Sequence, residues 1–294
     1  MENLSSCLIC GSENIQTFLE CKDHFLTKEN FIISHCNNCN FRFVNPRPEK
    51  EKIGAYYQSD DYISHSESKK GIVNFIYNLI KGYTLPKKYL LINKYSKGNK
   101  ILDIGCGNGD FLNLFKQRNW DAYGIEPSPK ARNHAITKFN LNVNSDNNSI
   151  CEINDGFFDV ITMWHVLEHI HELTELLQEI KRTLKKDGVL FVAVPNPDSF
   201  DAKYYKEYWA GYDVPRHLYH FNSQNISDLF KKYQMNVIQV LPMVFDSFYV
   251  SMLSEKYKTG KNGYLKGFYT GFISNLYGVK TKNYSSLIYV IKNN

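Results

Sequence analysis

The stretch Ile101-Leu-Asp-Ile-Gly-Cys-Gly-Asn-Gly-Asp-Phe-Leu112 leaves the chain little choice about what to build around it. Its apolar start reads as a short buried strand. Gly105, Gly107 and Gly109 then let the backbone turn tightly and approach a ligand, and a helix beginning near Asp110 points its amide end at the same spot. A Cβ at these glycines would block both the turn and the approach. The spacing is G-x-G-x-G, without the third glycine of the dinucleotide pattern G-x-G-x-x-G. Asp103 stands inside the strand, immediately before the turn.

Trp120-Asp-Ala-Tyr-Gly-Ile-Glu126 reads as a second strand ending in a carboxylate that can accept both hydroxyls of a ribose. Ser128 and Pro129 supply the N-cap and first turn of the next helix, about Pro129 to Phe139. Asp103-Ile-Gly-Cys-Gly-Asn-Gly109 with Glu126 resembles the class I S-adenosylmethionine-dependent methyltransferases, whose motif is (D/E)-x-G-x-G-x-G. The resemblance implies that Asp103, Gly105, Gly107, Gly109 and Glu126 bind that cofactor. Asp146, just past a third strand at Leu141 to Val143, then falls where the family places a side chain against the adenine amino group.

Phe158 to Trp164 is the clearest later strand. A helix follows from Leu173 to Leu184, stopped by Lys185-Lys186-Asp187-Gly188, and then a strand from Val189 to Val194. Ser223 to Tyr233 reads as a helix, Asn236 to Pro242 as a sixth strand, and Ser285 to Lys292 as a final antiparallel edge strand. Ile72 to Ile80 and Lys87 to Tyr95 read as two helices separated by Pro86, after a polar loop from Ser59 to Lys70. The alternation predicts an α/β fold with a doubly wound, mostly parallel sheet, its ligand beyond the strands' carboxyl ends. With the resemblance, the expectation is a Rossmann-like seven-stranded sheet bearing an N-terminal zinc ribbon and helical lid insertions. The boundaries are 1–48 for the ribbon, 49–97 for a helical cover and 98–294 for the catalytic domain, with insertions at 198–222 and 243–284.

Cys7-Leu-Ile-Cys10 and Cys36-Asn-Asn-Cys39 are two C-x-x-C knuckles, which present four sulfurs to one tetrahedral zinc. Redox-active or disulfide pairs are the alternative. Phe18, Phe25, Phe31 and Ile33 would cover the small core between them. Cys21, His24 and His35 read as bystanders, and Cys106 and Cys151 as small apolar residues. A closed four-thiolate site serves folding and docking rather than chemistry.

His165-Val-Leu-Glu-His169 allows three readings. It spells the zinc-peptidase string H-x-x-E-H. Its i, i+3, i+4 spacing could hold a divalent metal on one helical face, as the similar E-x-x-E-H of ubiquinone-pathway O-methyltransferases suggests. It also resembles the L-E-H segment of class I methyltransferases, which implies that Trp164 and His165 line the methionine end of the cofactor and that Glu168 or His169 orients the site.

Phe200 to Phe221 is dense in aromatics. Its run from Trp209 through Tyr212, Asp213-Val-Pro-Arg-His217 and His220 to Phe221 resembles a methyltransferase subgroup with an N-terminal zinc ribbon, associated with sugar, polysaccharide and natural-product biosynthesis. Methyl transfer to a hydroxyl needs a positioned nucleophile and a base. His217 is the expected base, with His169 and His220 as substitutes, and Arg216, Tyr212 and Trp209 are expected at the substrate. The alternative is that Arg216 and His217 only fix the lid.

Leu265, Phe268, Tyr269, Phe272, Ile273 and Leu276 recur at helical spacing. They are expected to pack on the domain, with a dimer face or a membrane-resting surface as the alternatives. The formal charge of +5 over 294 residues makes no case for nucleic acid, and the lid lacks a basic stripe between its aromatics. No signal peptide and no spanning apolar run is read, so the expectation is a cytoplasmic monomer or homodimer acting on a small molecule. C-methylation of a nucleotide-linked keto sugar is the rival reaction, and a non-catalytic binding module the rival outside enzymes.

Overall fold

A computed structural model describes residues 1–57 and 72–293, the side chains of residues 72–78 excepted. The loop read at Ser59 to Lys70 lies outside the described residues.

Eleven strands form two sheets among the described residues. The larger contains β4 (Lys100–Ile104), β5 (Asp121–Ile125), β6 (Asn142–Asn144), β7 (Phe158–Trp164), β8 (Leu184–Pro195), β10 (Met235–Pro242) and β11 (Ser286–Asn293). Their order is β10-β11-β8-β7-β4-β5-β6. β4 through β8 pair in parallel, while β11 runs antiparallel to both its neighbours. The final strand is therefore not an edge: it is inserted between β8 and β10. Its run Leu287 to Ile291 is buried on both faces, as an interior position requires.

Side chains alternate between two cores. Leu102, Ile104, Ile161, Met163, Leu190 and Val192 face one layer. Ile101, Val160, Val189, Phe191, Ile288 and Val290 face the other. The second layer is covered by α1 (Ile72–Tyr95), α2 (Asp110–Lys116) and α3 (Pro129–Phe139). α1 is one helix and not two, since it passes through Pro86. Leu85, Tyr89 and Ile92 pack on the same core across the proline, and that packing outweighs one missing backbone donor. The first layer takes α4 (Leu173–Thr183) and α6 (Ser223–Lys231). Lys185 to Gly188 is no helix stop: α4 ends at Thr183, and these residues form a bulge of β8. There the Lys185 ammonium meets Asp159 at 2.6 Å.

The smaller sheet joins the two ends of the expected architecture. Its order is β1 (Ile15–Lys22), β2 (Asn30–Cys36), β3 (Arg42–Val44) and β9 (Tyr219–His220). β9 belongs to the first insertion, so the ribbon and the lid share one sheet. They also share a core in which Phe31, Ile33 and Val44 pack with Tyr205, Trp209 and Tyr212. Phe18 does not join that core, because it is exposed beneath the Arg42 guanidinium at 4.4 Å. Cys151 is exposed as well, contrary to its reading as a small apolar residue.

α5 (Phe200–Tyr205) opens the first insertion, and α7 (Asp246–Thr259) and α8 (Tyr264–Thr281) form the second. The apolar stripe of α8 faces outward, not onto the domain. Its inward face is Gly267, Thr270, Gly271, Ser274 and Gly278. The backbones approach so closely that a Cβ on Gly267 would lie 2.5 Å from the Met252 Cα. Among the described residues, no helix is long and apolar enough to cross a membrane.

Candidate active site

The cradle forms where β4 turns into α2. Gly105, Gly107 and Gly109 all have positive φ (74°, 56° and 81°). A Cβ on Gly105 would meet Val166 at 2.4 Å, and one on Gly109 would strike Leu141 and Ala135, whereas Gly107 has nothing within 4 Å. Two glycines thus permit packing, and the middle one leaves the open side on which a ligand can lie. Glu126, at the tip of β5, accepts hydrogen bonds from the Gly107 N–H and the Ser128 N–H, each at 2.8 Å. That fixes its carboxylate beside the cradle with lone pairs to spare. Asp103 is buried, accepts the Thr162 hydroxyl at 2.5 Å, and is pushed up to about 7 by burial. Asp146 is exposed and accepts the Asn148 N–H at 2.8 Å, capping the short turn Asn147–Glu152.

Trp164 and His165 follow at the end of β7. The Trp164 Nε1 is buried and has no hydrogen-bond partner among the described residues. Lys88, from α1, lies over its ring at 3.7 Å, and burial lowers the ammonium to about 8 against the pull of Asp103 and Asp246. His165 adopts a positive φ of 57°. Its Nε2 lies 3.1 Å from Asp246 and its Nδ1 3.5 Å from Glu168. Burial alone would depress this imidazole, but the two carboxylates win and raise it to about 10. Lys88 and Asp246 carried no sequence signal, because one sits on a covering helix and the other in the second insertion.

Glu168, His169 and His217 converge beside this turn, with ligand atoms that all lie within 4.8 Å of one another. Glu168 is 1 % exposed, and among the described residues neither carboxylate oxygen receives a hydrogen bond, the His165 Nδ1 standing off at 3.5 Å. Burial would raise its carboxyl, yet the surrounding histidines hold it low. The His217 Nδ1 donates to the Gly211 carbonyl at 2.9 Å, leaving Nε2 toward Glu168 and Asp213, each at 4.0 Å. The His169 Nδ1 donates to the Arg216 carbonyl at 3.0 Å and meets the Tyr57 hydroxyl at 3.0 Å. Burial and the neighbouring His217 push His169 down to about 4. Since carbonyls only accept, both rings turn an unprotonated Nε2 inward when neutral. His165 meets this group only at Glu168, 3.5 Å from its Nδ1, so the divalent-metal set read at His165, Glu168 and His169 gives way to Glu168, His169 and His217. The turn Leu167–His169 is too short to carry a peptidase helix.

Four other expectations are corrected. Arg216 is 1 % exposed and spends its donors on Asp213 (2.6 and 3.0 Å), Asp23 (3.0 and 3.4 Å) and the Tyr56 carbonyl (3.1 Å). It cannot reach a substrate, and it ties the lid to the ribbon instead. Trp209 is buried and donates to Asp201 at 2.7 Å. Tyr212 is buried edge-on against Trp209 and His220. His220 lies in β9 with its Nε2 buried and without a hydrogen-bond partner among the described residues, and burial lowers it well below the usual imidazole range. Trp209 and Tyr212 belong to the ribbon–lid core with His220 packed against Tyr212, while His217 and His169 lie beside Glu168.

The four knuckle cysteines also converge, with Cys7 Sγ 3.5 Å from Cys39 Sγ and Cys10 Sγ 3.4 Å from Cys36 Sγ. Around a tetrahedral zinc with Zn–S of about 2.3 Å, sulfurs sit a little under ~4 Å apart, so the set fits that ion.

A family described as "Methyltransferase domain" matches residues 82–240, more than half of the chain. A ubiquinone biosynthesis O-methyltransferase from Haemophilus ducreyi is 33% identical over 110 residues, covering 34% of this chain and 46% of that protein. An uncharacterized protein from Methanocaldococcus jannaschii is 30% identical over 152 residues, 48% of this chain and 59% of that protein. The chain thus spans about half the length of the curated relatives it matches. Among solved structures, geranyl diphosphate C-methyltransferase from Streptomyces coelicolor, in complex with S-adenosyl-L-homocysteine, aligns with a TM-score of 0.51 at 12% identity. That alignment covers 71% of this chain and 76% of the other, and it is a likeness of fold.

Proposed function

This chain belongs to the methyltransferase-domain family, and on that premise we propose that it transfers a methyl group from S-adenosylmethionine to a hydroxyl of a small molecule. A sugar, a polysaccharide precursor or a natural-product intermediate is the substrate class this reading favours. Glu126 would hold the cofactor's ribose, the Gly107 backbone would lie against it, and Asp103, Trp164 and His165 would line its methionine end. The bound cofactor supplies an electrophilic methyl on a sulfonium.

The observation that carries the hydroxyl acceptor is the buried carboxylate of Glu168, which faces the His165 imidazole at 3.5 Å yet receives no hydrogen bond at either oxygen among the described residues. A buried carboxylate without a donor is costly unless something brings one, and a substrate hydroxyl would. His217 Nε2 stands beside it, free to take the hydroxyl proton as the oxygen attacks, and Glu168 would steady the imidazolium that results. The Gly211 carbonyl fixes the ring's tautomer. C-methylation of a nucleotide-linked keto sugar is the alternative, in which the same histidine takes a carbon-bound proton. A substrate with an acidic α-carbon would separate the two.

Zinc at Cys7, Cys10, Cys36 and Cys39 belongs to this reading as a structural ion, and a four-thiolate site goes with a reducing, cytoplasmic compartment. A second reading rests on the convergence of Glu168, His169 and His217, each histidine with its far nitrogen on a carbonyl, an arrangement that also suits a divalent cation. Activity abolished by a chelator and restored by magnesium or manganese, with zinc retained, would favour it.

Calorimetric titration of the zinc-replete protein with S-adenosylmethionine and S-adenosylhomocysteine tests the proposal. Micromolar binding lost in Glu126→Ala supports it and justifies a screen of hydroxylated metabolites and nucleotide sugars. A folded protein that binds neither would defeat the enzyme reading in favour of a binding module.

A further inference from the structure

α8 (Tyr264–Thr281) turns its large apolar residues to solvent. Leu265 is 90 % exposed, Tyr269 64 % and Val279 59 %, with Phe268, Phe272 and Leu276 each about half exposed on the same stripe. These positions recur at i, i+3, i+4, i+7, i+11 and i+14, so they form one continuous face along the 18-residue helix. The opposite face of small residues is already used against α7. A contiguous apolar strip of this kind marks a contact surface.

Charge identifies the occupant. Residues 243–284 carry six lysines against one aspartate and one glutamate. Both acids are engaged inside the protein, Asp246 with His165 at 3.1 Å and Glu255 with Lys266 at 2.9 Å. The other lysines sit at the two ends of the strip: Lys256, Lys258 and Lys261 before α8, and Lys280 and Lys282 at its close, all exposed. A second copy of the chain laid on this face would bring lysine against lysine. A surface that is apolar in its depth and anionic at its boundary satisfies both features.

We propose that α8 lies in the interface of an anionic lipid bilayer, its Leu265–Val279 strip among the acyl chains and its terminal lysines on the phosphates. The hairpin does not cross the membrane. Asp246 at the start of α7 is held by His165 at the candidate active site, so a docked hairpin would place that site next to the membrane surface. The proposal concerns this face alone and does not depend on methyl transfer.

The test is co-sedimentation of the full-length, zinc-replete protein with phosphatidylcholine vesicles, with and without phosphatidylglycerol, alongside light scattering without lipid. The expected result is binding to the anionic vesicles only, weakened by salt. Lys280→Glu/Lys282→Glu should lower it by more than about tenfold, and Leu265→Ser/Phe272→Ser should abolish it while S-adenosylhomocysteine binding or the thermal transition stays at the wild-type value. Two results would overturn the proposal: no binding to either vesicle, or a dimer in solution that the Leu265→Ser/Phe272→Ser variant dissociates.

Discussion

Arg216 of the lid and Asp23 of the ribbon hairpin pair across the seam between these elements, Nη2 to Oδ1 at 3.0 Å, with neither side chain more than 1 % exposed. Asp23 also accepts the N–H groups of Phe25, Leu26 and Thr27, which holds the hairpin turn closed around the pair. Burial opposes the charge, but Arg216 and these donors bring Asp23 down to about 2. Arg216→Leu would leave the buried Asp23 and the half-buried Asp213 without their cation. It is expected to cost roughly 3–5 kcal/mol in urea denaturation. Asp23→Asn/Arg216→Met should recover part of that loss, because both charges go together.

Glu126 gives the cleanest binding prediction. Its two oxygens are fixed by the Gly107 and Ser128 N–H groups, and a ribose diol would add charge-assisted hydrogen bonds worth about 1.5–3 kcal/mol each. Glu126→Ala is expected to weaken S-adenosylhomocysteine binding by about a hundredfold or more in calorimetry. Asp146→Ala should have a much smaller effect, since that carboxylate is already used as a local cap.

The course of the chain explains which features could be read beforehand. β4, β7, α2 and α3 follow from local patterns, because strand alternation, glycines and an N-cap lie next to one another in sequence. The fate of Arg216 could not be read that way: its partner Asp23 is 193 residues distant, and an arginine in a lid looks the same whether it meets a substrate or a carboxylate. The aromatics Trp209 and Tyr212 misled for a related reason. Aromatic density marks burial as readily as binding, and only the pairing of β9 with β3 decides between them. Ser247, Ser251 and Gly267 show the converse, since close packing of α7 on α8 rests on small residues that carry no hydrophobic pattern.

Lys88 lies over the Trp164 ring at 3.7 Å, within the electrostatic reach of Asp103 and Asp246. On the proposed cofactor placement, with Trp164 at the methionine end, this ammonium would meet the methionine carboxylate. Lys88→Met is expected to weaken S-adenosylhomocysteine binding by about tenfold, in line with one charge-assisted contact. Binding of 5′-methylthioadenosine, which lacks that carboxylate, should not change. Equal losses for both ligands would mean that the helix, and not the charge, had been disturbed.

The four-cysteine cluster holds the ribbon, and through β3 and β9 the ribbon holds the lid. One zinc per chain is expected by elemental analysis. Its removal by a strong chelator should lower the thermal transition and expose Cys7 and Cys36, both buried, to thiol reagents. Cys36→Ser should reproduce the loss. Full stability after complete chelation would remove the ion from the account.

The two histidines of the site pull stability in opposite directions with pH. His165 is raised from its ordinary 6.5 to about 10 by Asp246 and Glu168, so the folded chain holds its proton more tightly than the unfolded one. Its contribution is fully present below pH 6.5 and is lost as pH rises through about 10. His169 is lowered from 6.5 to about 4, so its contribution is present above pH 6.5 and is lost as pH falls through about 4. Thermal transitions measured across this range should therefore decline on both sides. In His165→Gln the alkaline decline should flatten while the acid one stays, and in His169→Gln the reverse should hold. The same charge state matters for cofactor binding, because a cationic His165 offsets part of the negative charge of Asp246 and Glu168. Loss of that cation above pH 10 would leave two adjacent carboxylates, and S-adenosylhomocysteine affinity should fall over the same pH interval as the stability.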